Sequence, residues 1–306
     1  MEKRRIGSLE VSVVGLGCNN FGRRIDEPAS VRVVHAALDA GVNFFDTADI
    51  YGGTHSEEFL GRALAGRRDQ AIIATKFGMA VDVKRQGAKP DYVRRAVEDS
   101  LRRLGTDRID LYQLHKPDPA TPIGDTLQVL DELVRAGKVR EIGCSNFSAA
   151  QLREAQQAVR AGAACFVSVQ NEYSLLHRQA EAEVLPECGR SGMAFLPYFP
   201  LANGLLSGRH RRGAVAPAGS RFVPGGWGAG AYTEANLARV EALRHFAAAS
   251  GHSLLQLAFA WLLSHRAVAS VIAGASAPEQ VQANAAAPGW KLGAEDLAEI
   301  ERLLNQ

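Results

Sequence analysis

Short, strongly apolar runs alternate with longer stretches of mixed polarity along almost the whole chain. Several of the short runs are nearly continuous in apolar residues, which is typical of parallel strands that are covered on both faces. The runs predict eight strands, over Val13–Cys18, Asn43–Ala48, Ala71–Phe77, Ile109–His115, Val139–Ser145, Cys165–Asn171, Met193–Phe199 and Ala267–Gly274.

The stretches between these runs carry apolar residues at helical spacing. In one of them Val93, Val97 and Leu101 recur every fourth residue, and arginines occupy the other face. Serines at the start of several stretches and glycines after their ends mark the helix boundaries. The pattern predicts helices over Val31–Ala40, Ser56–Ala65, Asp91–Leu104, Asp125–Ala136, Ser148–Ala161, Glu234–Ser250, Ser253–His265 and Ala294–Leu304.

The repeated strand–helix order favours an α/β fold of the (β/α)8 TIM-barrel type, built as one domain over residues 1–306. An open doubly wound sheet has the same alternation and stays the alternative. The stretch Arg4–Val14 predicts a short N-terminal hairpin that plugs one barrel end, and extra helices are predicted near the C-terminus. The stretch Ala202–Tyr232 is rich in Gly, Pro and Arg and predicts a long functional loop.

Composition narrows the classes of partner and the location. A formal net charge of +2 gives no reason to expect nucleic acid or a membrane surface as a partner. No apolar run approaches the roughly 20 residues that span a bilayer. Because no apolar stretch follows the charged first residues as in a signal peptide, a cytoplasmic location is expected.

The histidines and cysteines give no indication of a metal site. The eight histidines lack ligand spacing, and none of the four cysteines forms a CxxC pair. We therefore expect no metal, and we expect reduced thiols in the core.

Polar side chains capable of proton chemistry occur at the ends of three consecutive predicted strands. Asp46 ends the second strand and Tyr51 follows it, Lys76 lies near the end of the third, and His115 ends the fourth. In a TIM barrel these strand ends form one rim, which carries the active site. Lys76 is the most informative of the four, because a charge next to an apolar run is costly unless it is paired.

Together these residues suit proton delivery to an oxygen. A free tyrosine has a pKa of about 10, too high for ready proton exchange at neutral pH. A nearby ammonium group favours phenolate, so we expect Lys76 to lower the pKa of Tyr51. Asp46 would keep the lysine charged and in place, and His115 would orient a substrate oxygen.

These segments resemble the catalytic signatures of the aldo-keto reductase superfamily, and the likeness extends from about Leu9 to Asn284. The matching segments are Asn43–Gly52, Ala74–Gly78 and His115–Asp118. The resemblance implies hydride transfer that reduces small aldehydes or ketones to alcohols. It also implies that Tyr51 is the general acid, that Lys76 and Asp46 tune it, and that His115 orients the carbonyl.

The resemblance further implies an extended nicotinamide dinucleotide across the barrel mouth. Ser145, Asn146 and Gln170 would hold the carboxamide, and Tyr198 would stack on the nicotinamide ring. Further residues would contact the pyrophosphate and the adenosine end, namely Pro200, Leu201, Gly204, Leu206, Gly208, Arg209, Gly274, Ser276, Gln280 and Asn284. The physics agrees, because backbone amides at a helix start attract phosphate.

Cofactor preference and substrate are less closely defined. The run Ala273–Ala277 lacks the Lys or Arg that many relatives place against the 2′-phosphate. NADPH is favoured because relatives commonly use it, and NADH is the alternative. A preference for NADPH would depend on contacts of its 2′-phosphate with Ser276, Gln280 and one of Arg209, Arg211 and Arg212. The predicted walls of an apolar substrate pocket are Phe21, Phe77 and Trp227.

Two other functions are compatible with the same residues. One is a nicotinamide-binding regulatory subunit resembling the β subunits of potassium channels. The other is a lyase that uses Lys76 as a Schiff base. The natural substrate, the physiological direction and the oligomeric state, including a homo-oligomer, stay open.

Overall fold

Eight parallel strands lie side by side in chain order, with a separate two-stranded hairpin before them. The computed structural model describes residues 1–213, 220–223, 226 and 228–305. The hairpin strands are β1 (Lys3–Ile6) and β2 (Leu9–Ser12). The parallel strands are β3 (Val14–Gly17), β4 (Phe44–Asp46), β5 (Ile72–Phe77), β6 (Ile109–Leu114), β7 (Val139–Ser145), β8 (Phe166–Glu172), β9 (Ala194–Tyr198) and β10 (Val271–Gly274).

The parallel sheet closes on itself and forms a (β/α)8 TIM barrel, as predicted. At one edge β10 pairs with β3, with Val271 opposite Val14 and Gly274 opposite Gly17. At the other edge the amide of Phe195 in β9 donates to the carbonyl of Ala267 at 2.7 Å, and Phe195 forms a parallel bridge with Val268. The predicted eighth strand thus pairs on both sides. Near its start it forms a bridge to β9, and at its end it is the regular strand β10, which pairs with β3.

Helices cover the outside of the barrel in the predicted order. Their ranges are α1 (Glu27–Asp39), α2 (His55–Ala63), α3 (Pro90–Leu104), α4 (Ile123–Arg135), α5 (Ala149–Ala158), α6 (Val184–Ser191), α7 (Glu234–Ala249), α8 (Leu254–Ser264), α9 (Pro278–Ala286) and α10 (Ala294–Leu304). The ranges of α6 and α9 were not predicted. Helix α1 starts before the predicted Val31, because the Asp26 side chain caps it by accepting from the amide of Ala29 and a proline lies in its first turn.

The N-terminal hairpin fills the end of the barrel opposite the catalytic strand ends. Ile6, Leu9 and Val11 are buried with inward-facing strand residues such as Phe44 and Leu111 in one cluster. The Arg4 guanidinium donates to the carbonyls of Val268 at 2.7 Å and Leu263 at 2.9 Å, which ties the hairpin to the last part of the barrel. The predicted plug is therefore present, and the other end of the barrel is left for ligands.

By length and composition, no single helix in the described part of the chain could cross a membrane. Helices α7 and α8 would meet that criterion only as a pair, and they are bent by 93° at the break between them.

Helices α2 and α3 approach each other closely at one glycine. A Cβ atom on Gly61 would lie 2.3 Å from the carbonyl oxygen of Leu104, a distance that requires the backbone to move. We therefore expect Gly61→Ala to reduce the free energy of unfolding by about 2 kcal/mol, as overpacked sites do. Urea unfolding followed by circular dichroism measures the change. Gly189→Ala in α6 is the matched control, because a Cβ atom there meets nothing within 4 Å and should stabilise the helix by about 0.5–1 kcal/mol. Equal stability of the two variants would contradict the close approach.

Candidate active site

A buried ammonium group is the centre of the site. Lys76 is fully buried in β5, and its Nζ atom donates to Asp46 Oδ2 at 2.6 Å and to the Thr47 carbonyl at 2.8 Å. The third contact of Nζ is the Tyr51 hydroxyl, at 3.4 Å. The expected meeting of a phenol and an ammonium group at the barrel rim is therefore present in the structure.

The second oxygen of Asp46 is also occupied. Its Oδ1 atom accepts from the side-chain amides of Gln170 at 2.8 Å and Gln113 at 3.4 Å. Strands β4, β5, β6 and β8 thus each supply one side chain to a single network. A buried ion pair is tolerated when hydrogen bonds satisfy its remaining atoms, as they do here.

A tight turn directs the Tyr51 hydroxyl toward Lys76. The turn covers Tyr51–Thr54, and Gly52 has a φ of 58°, in the left-handed region. A Cβ atom on Gly52 would lie 2.2 Å from the Phe21 carbonyl oxygen, so only glycine fits between this turn and the loop after β3. The loop after β3 therefore lies directly against the turn that carries Tyr51.

The pKa of Tyr51 differs from the sequence-based expectation. Burial raises the pKa above its usual value, the positive charge of Lys76 lowers it, and the negative charge of Asp46 raises it again. The net direction of the pKa is upward, because burial is the largest of these effects and the charge of Asp46 acts in the same direction. Tyr51 is thus a neutral phenol at physiological pH, in the protonation state of an acid.

His115 is a neutral side chain in contact with Tyr51. Burial lowers its pKa to about 3, and the charges of Lys76 and Lys116 act in the same direction. The two rings meet edge to face, with centroids 5.7 Å apart. A neutral imidazole carries one N–H group, so His115 can donate a hydrogen bond without adding a charge.

These residues border a cavity of about 1200 Å³ at the open end of the barrel. Single small-molecule sites usually have volumes of about 300–1000 Å³, so this cavity has room for a large ligand and a small one together. The sequence-predicted residues that line it are Asp46, Tyr51, His115, Ser145, Asn146, Gln170, Tyr198, Pro200, Leu201, Gly204, Arg209, Gly274, Ser276 and Gln280.

Four of the predicted catalytic and cofactor-binding residues lie outside the lining. Lys76 acts from beneath the cavity, since its side chain is completely covered. Leu206 belongs to the hydrophobic core, and Asn284 is buried in α9. Gly208 follows the cavity wall in a left-handed conformation, with a φ of 79°.

Hydrogen bonds among the lining residues hold the inner wall of the cavity in place. The Ser145 hydroxyl donates to the Gln170 carbonyl at 2.7 Å, and the Tyr198 hydroxyl donates to Asn146 Oδ1 at 2.9 Å. The Asn146 amide donates to the carbonyl of His115 at 2.9 Å. The predicted carboxamide-binding residues therefore form one rigid group that also positions the backbone of His115.

The connection after β9 has a strained backbone where it borders the cavity. Phe199, Ala202 and Asn203 have φ values of 49°, 46° and 60°. Non-glycine residues in this region cost of order 1–3 kcal/mol each and cluster at ligand-binding sites. A change from right- to left-handed backbone, as between Leu201 with a φ of −101° and Ala202, can turn amide groups toward a common anion. This wall fits the phosphate groups of a dinucleotide.

The three arginines at positions 209, 211 and 212, which follow this strained segment, differ in their contacts. Arg209 lines the same cavity as Ser276 and Gln280. Arg211 donates to the carbonyls of Gly208 and His210 in its own segment, and Arg212 pairs with Glu234 at the start of α7. Arg209 is therefore the arginine of this run that is positioned to contact a ligand.

No group of three or more potential metal ligands occurs among the described residues.

The structure does not place the predicted aromatic walls on the cavity. Phe21 and Phe77 are fully buried in the core, and the Phe77 ring stacks on Tyr112 at 4.7 Å. Phe77 follows Lys76 in a strand, so it faces the helices while Lys76 faces the barrel interior. Trp227 lies outside the described residues. The apolar residues that do line the cavity include Ile50, which precedes Tyr51, together with Met79 and Phe199.

The loop after β3 contributes residues that sequence reasoning missed. Asn19, Asn20, Arg23 and Arg24 line the cavity, as does Arg221 from the long connection after β9. The two adjacent arginines directly after a strand end were the available indication, since the rim of a TIM barrel begins there.

An unusual acid is buried behind the Tyr51 turn. The Asp49 carboxyl accepts from the Tyr92 hydroxyl at 3.3 Å, and its other oxygen has no partner within the described structure. Burial raises the pKa of Asp49 to about 7, and the nearby negative charge of Glu57 adds to this effect. The Asp49 amide donates to the Lys76 carbonyl at 3.0 Å, which joins this acid to the strand that carries the buried ammonium group.

Comparison with known proteins identifies relatives across the whole chain. Residues 13–305 match the model of the Aldo/keto reductase family. The chain is 36% identical to the aldo-keto reductase YhdN of Bacillus subtilis over 309 residues, which cover 97% of this chain and 91% of the relative.

Two solved structures have similar folds. The aldo-keto reductase AKR11C1 from Bacillus halodurans, in its holo form, superposes with a TM-score of 0.82 at 34% identity, over 99% of this chain and 96% of that one. The glycerol dehydrogenase AKR11B4 from Gluconobacter oxydans gives a TM-score of 0.84 at 32% identity, over 99% and 94% of the two chains.

The raised pKa of Asp49 predicts a dependence of stability on pH. An acid whose pKa is higher in the folded state than in the unfolded state stabilises the fold at low pH, and this contribution is lost as pH rises from about 4 to 7. A shift from 3.8 to about 7 corresponds to about 4 kcal/mol over that window. Asp49→Asn removes the titration, so the variant should gain stability relative to the wild type between pH 5 and pH 8. Urea unfolding at both values measures this, with the exposed Asp107→Asn as control. A constant difference between Asp49→Asn and wild type at the two values would show that Asp49 does not titrate in this range.

Proposed function

The chain belongs to the aldo/keto reductase family, and from this premise we propose that it is an NAD(P)H-dependent oxidoreductase that reduces aldehydes or ketones. One observation carries the proposal. The Tyr51 hydroxyl lies 3.4 Å from a fully buried ammonium group, at the edge of a large cavity that it shares with a neutral His115. This arrangement suits protonation of a carbonyl oxygen.

The proposed roles follow from the charges. Reduced nicotinamide, when bound, supplies the hydride. Tyr51 is protonated at neutral pH and gives its proton to the substrate oxygen, on which negative charge develops. Lys76 meets the phenolate that remains with a fixed positive charge, and Asp46 keeps that charge in place. His115 donates a neutral hydrogen bond to the same oxygen.

The cofactor would extend from Tyr198 to Gln280 along the cavity. Ser145, Asn146 and Gln170 would hold the carboxamide, and Tyr198 would pack against the nicotinamide ring. The strained backbone between Phe199 and Gly204 would contact the diphosphate. We propose NADPH as the preferred cofactor, because the lining of the cavity includes the cation of Arg209 and the polar groups of Ser276 and Gln280.

The buried environment of Lys76 argues against the lyase. A Schiff base requires a neutral amine, whereas Asp46 and Tyr51 favour the charged form and raise the pKa of Lys76 despite its burial. Its three acceptors also leave it no path to a substrate. The complete set of proton-transfer residues favours turnover over a purely regulatory role. The similarity to a glycerol dehydrogenase supports oxidation of alcohols as the reverse reaction.

We expect Tyr51→Phe to lower kcat for carbonyl reduction by at least a hundredfold, as loss of a general acid does. The dissociation constant for NADPH should change by less than about threefold, because the hydroxyl lies on the substrate side. Steady-state kinetics over a panel of aldehydes and fluorescence titration measure the two quantities. Tyr112→Phe is the matched control, since its buried hydroxyl has no partner in the described structure. Near-normal turnover of Tyr51→Phe would remove this residue from the acid role.

Gln280→Glu tests the site proposed for the 2′-phosphate. Gln280 Oε1 accepts from the amide of Ser276 at 2.9 Å, and a carboxylate keeps this bond while adding a negative charge. We expect the dissociation constant for NADPH to rise about tenfold or more, which corresponds to about 1.4 kcal/mol, and that for NADH to change little. Gln282→Glu, exposed on the same helix, is the control. An equal effect on both dinucleotides would place the 2′-phosphate elsewhere.

A further inference from the structure

We propose that Arg23, Arg24 and Arg221 form an oxyanion-binding subsite at the mouth of the cavity, for a phosphate or a carboxylate. All three line the same cavity as Tyr51 and His115, and Arg23 and Arg24 are exposed at its rim. The inference deepens the proposed function, because it names the chemical class of a group that binds near the reacting carbonyl.

Asn20 brings the three arginines together. Its backbone carbonyl accepts from the amides of Arg23 at 3.2 Å and Arg24 at 2.8 Å, which fixes the turn that carries both side chains. Its side-chain Oδ1 accepts from the Arg221 guanidinium at 3.1 Å. Its Nδ2 donates to the Ala275 carbonyl at 3.1 Å, so the orientation of the amide is fixed at both ends. Asn20 is 5% exposed, so this arrangement is built into the wall.

The charge of the cavity wall is strongly one-sided. Among the described lining residues, four carry guanidinium groups, namely Arg23, Arg24, Arg209 and Arg221. Asp46 is the carboxylate in the same set, and it is already paired with Lys76. A cavity whose wall is lined by one sign of charge concentrates ligands of the opposite sign.

The neighbouring positive charges affect the pKa of Arg221. Burial lowers its pKa, and the positive charges of Arg24 and Arg23 lower it further. A bound anion would relieve this repulsion, so binding and the arrangement of the three side chains support each other. Guanidinium groups match the planar geometry of carboxylate and phosphate oxygens and form paired, charge-assisted hydrogen bonds with them.

The position of the subsite allows two sources for the anion. Gly22, next to Arg23, packs against Gly52 beside Tyr51, which places the arginine turn near the substrate side. Asn20 also contacts Ala275 at the end of β10, near the region proposed for the dinucleotide. The packing of Gly22 against Gly52 favours the first source, so we assign the anion to the carbonyl substrate and leave the diphosphate with the backbone between Phe199 and Gly204.

The first experiment needs no turnover. Isothermal titration calorimetry with inorganic pyrophosphate should show binding to the wild-type protein that weakens with salt. Arg221→Gln and the exposed Arg24→Gln should each raise the dissociation constant at least fivefold. Arg160→Gln, an exposed arginine on another part of the chain, is the control and should bind as the wild type does. Equal binding by all four proteins, or none by the wild type, would overturn the proposal.

The second experiment separates the two sources. The substrates are 4-carboxybenzaldehyde and its methyl ester, which differ in charge at one position. A rise of about tenfold in KM for the carboxylate alone, in Arg24→Gln, identifies the anion as part of the substrate. A similar rise in the dissociation constants of both NADH and NADPH, with the ratio of the two KM values unchanged, would show that the arginines hold the diphosphate of the cofactor and would overturn the proposal. No change in any of these quantities counts against the subsite.

The two experiments distinguish failure of the subsite from failure of the proposed function. If the protein reduces no carbonyl, the kinetic measurements have no readout and the proposed function fails, whereas pyrophosphate binding still tests the arginines. Thermal unfolding of each variant distinguishes loss of binding from loss of the fold. Arg24→Gln is the more secure variant, because its side chain is exposed and its backbone bond to Asn20 is kept.

Discussion

The ion pair between Lys76 and Asp46 is the interaction on which the site depends. Removal of either partner would leave an uncompensated charge in the barrel interior, which typically costs about 3–5 kcal/mol. The same pair holds the amides of Gln113 and Gln170, and through the Lys76 ammonium it determines where the Tyr51 hydroxyl lies. One costly pair of charges therefore sets the relative positions of four strands at the end of the barrel where ligands bind.

The electrostatics around this pair consist of neutral donors and one fixed cation. Burial keeps both Tyr51 and His115 uncharged, and the ammonium group is already oriented by its three acceptors. Groups that need no rearrangement stabilise a developing negative charge more effectively than water does. The raised pKa of Tyr51 is consistent with this, because the oxygen formed from a reduced carbonyl is a far stronger base than phenolate. In the proposed reaction the phenol would therefore transfer its proton without first being acidified.

The fold and the meeting of Asp46, Lys76 and His115 at one rim were predictable because both follow from short-range pattern. Asp46, Lys76 and His115 stand at strand ends, and strand ends of parallel barrels share one rim. Phe21 and Phe77 were assigned to the cavity because they are large and close to that rim, but the pleat turns Phe77 toward the helices and Phe21 packs into the core. The arginine subsite required coordinates, since Arg221 lies about two hundred positions beyond Arg23. Its contact with Asn20 depends on the path of a long connection, and no local pattern specifies that path.

The pairing of β10 with β3 has a consequence for how the chain is made. Val14 and Val271 are neighbours in the sheet. The ribosome nevertheless adds Val271 long after Val14 has been synthesised. Until then β3 presents an open edge, and an open edge can pair with other chains. Contacts this distant in sequence also form slowly. Nascent chains that stall before Val271 are therefore the species most exposed to aggregation, and chaperone demand should be greatest for them.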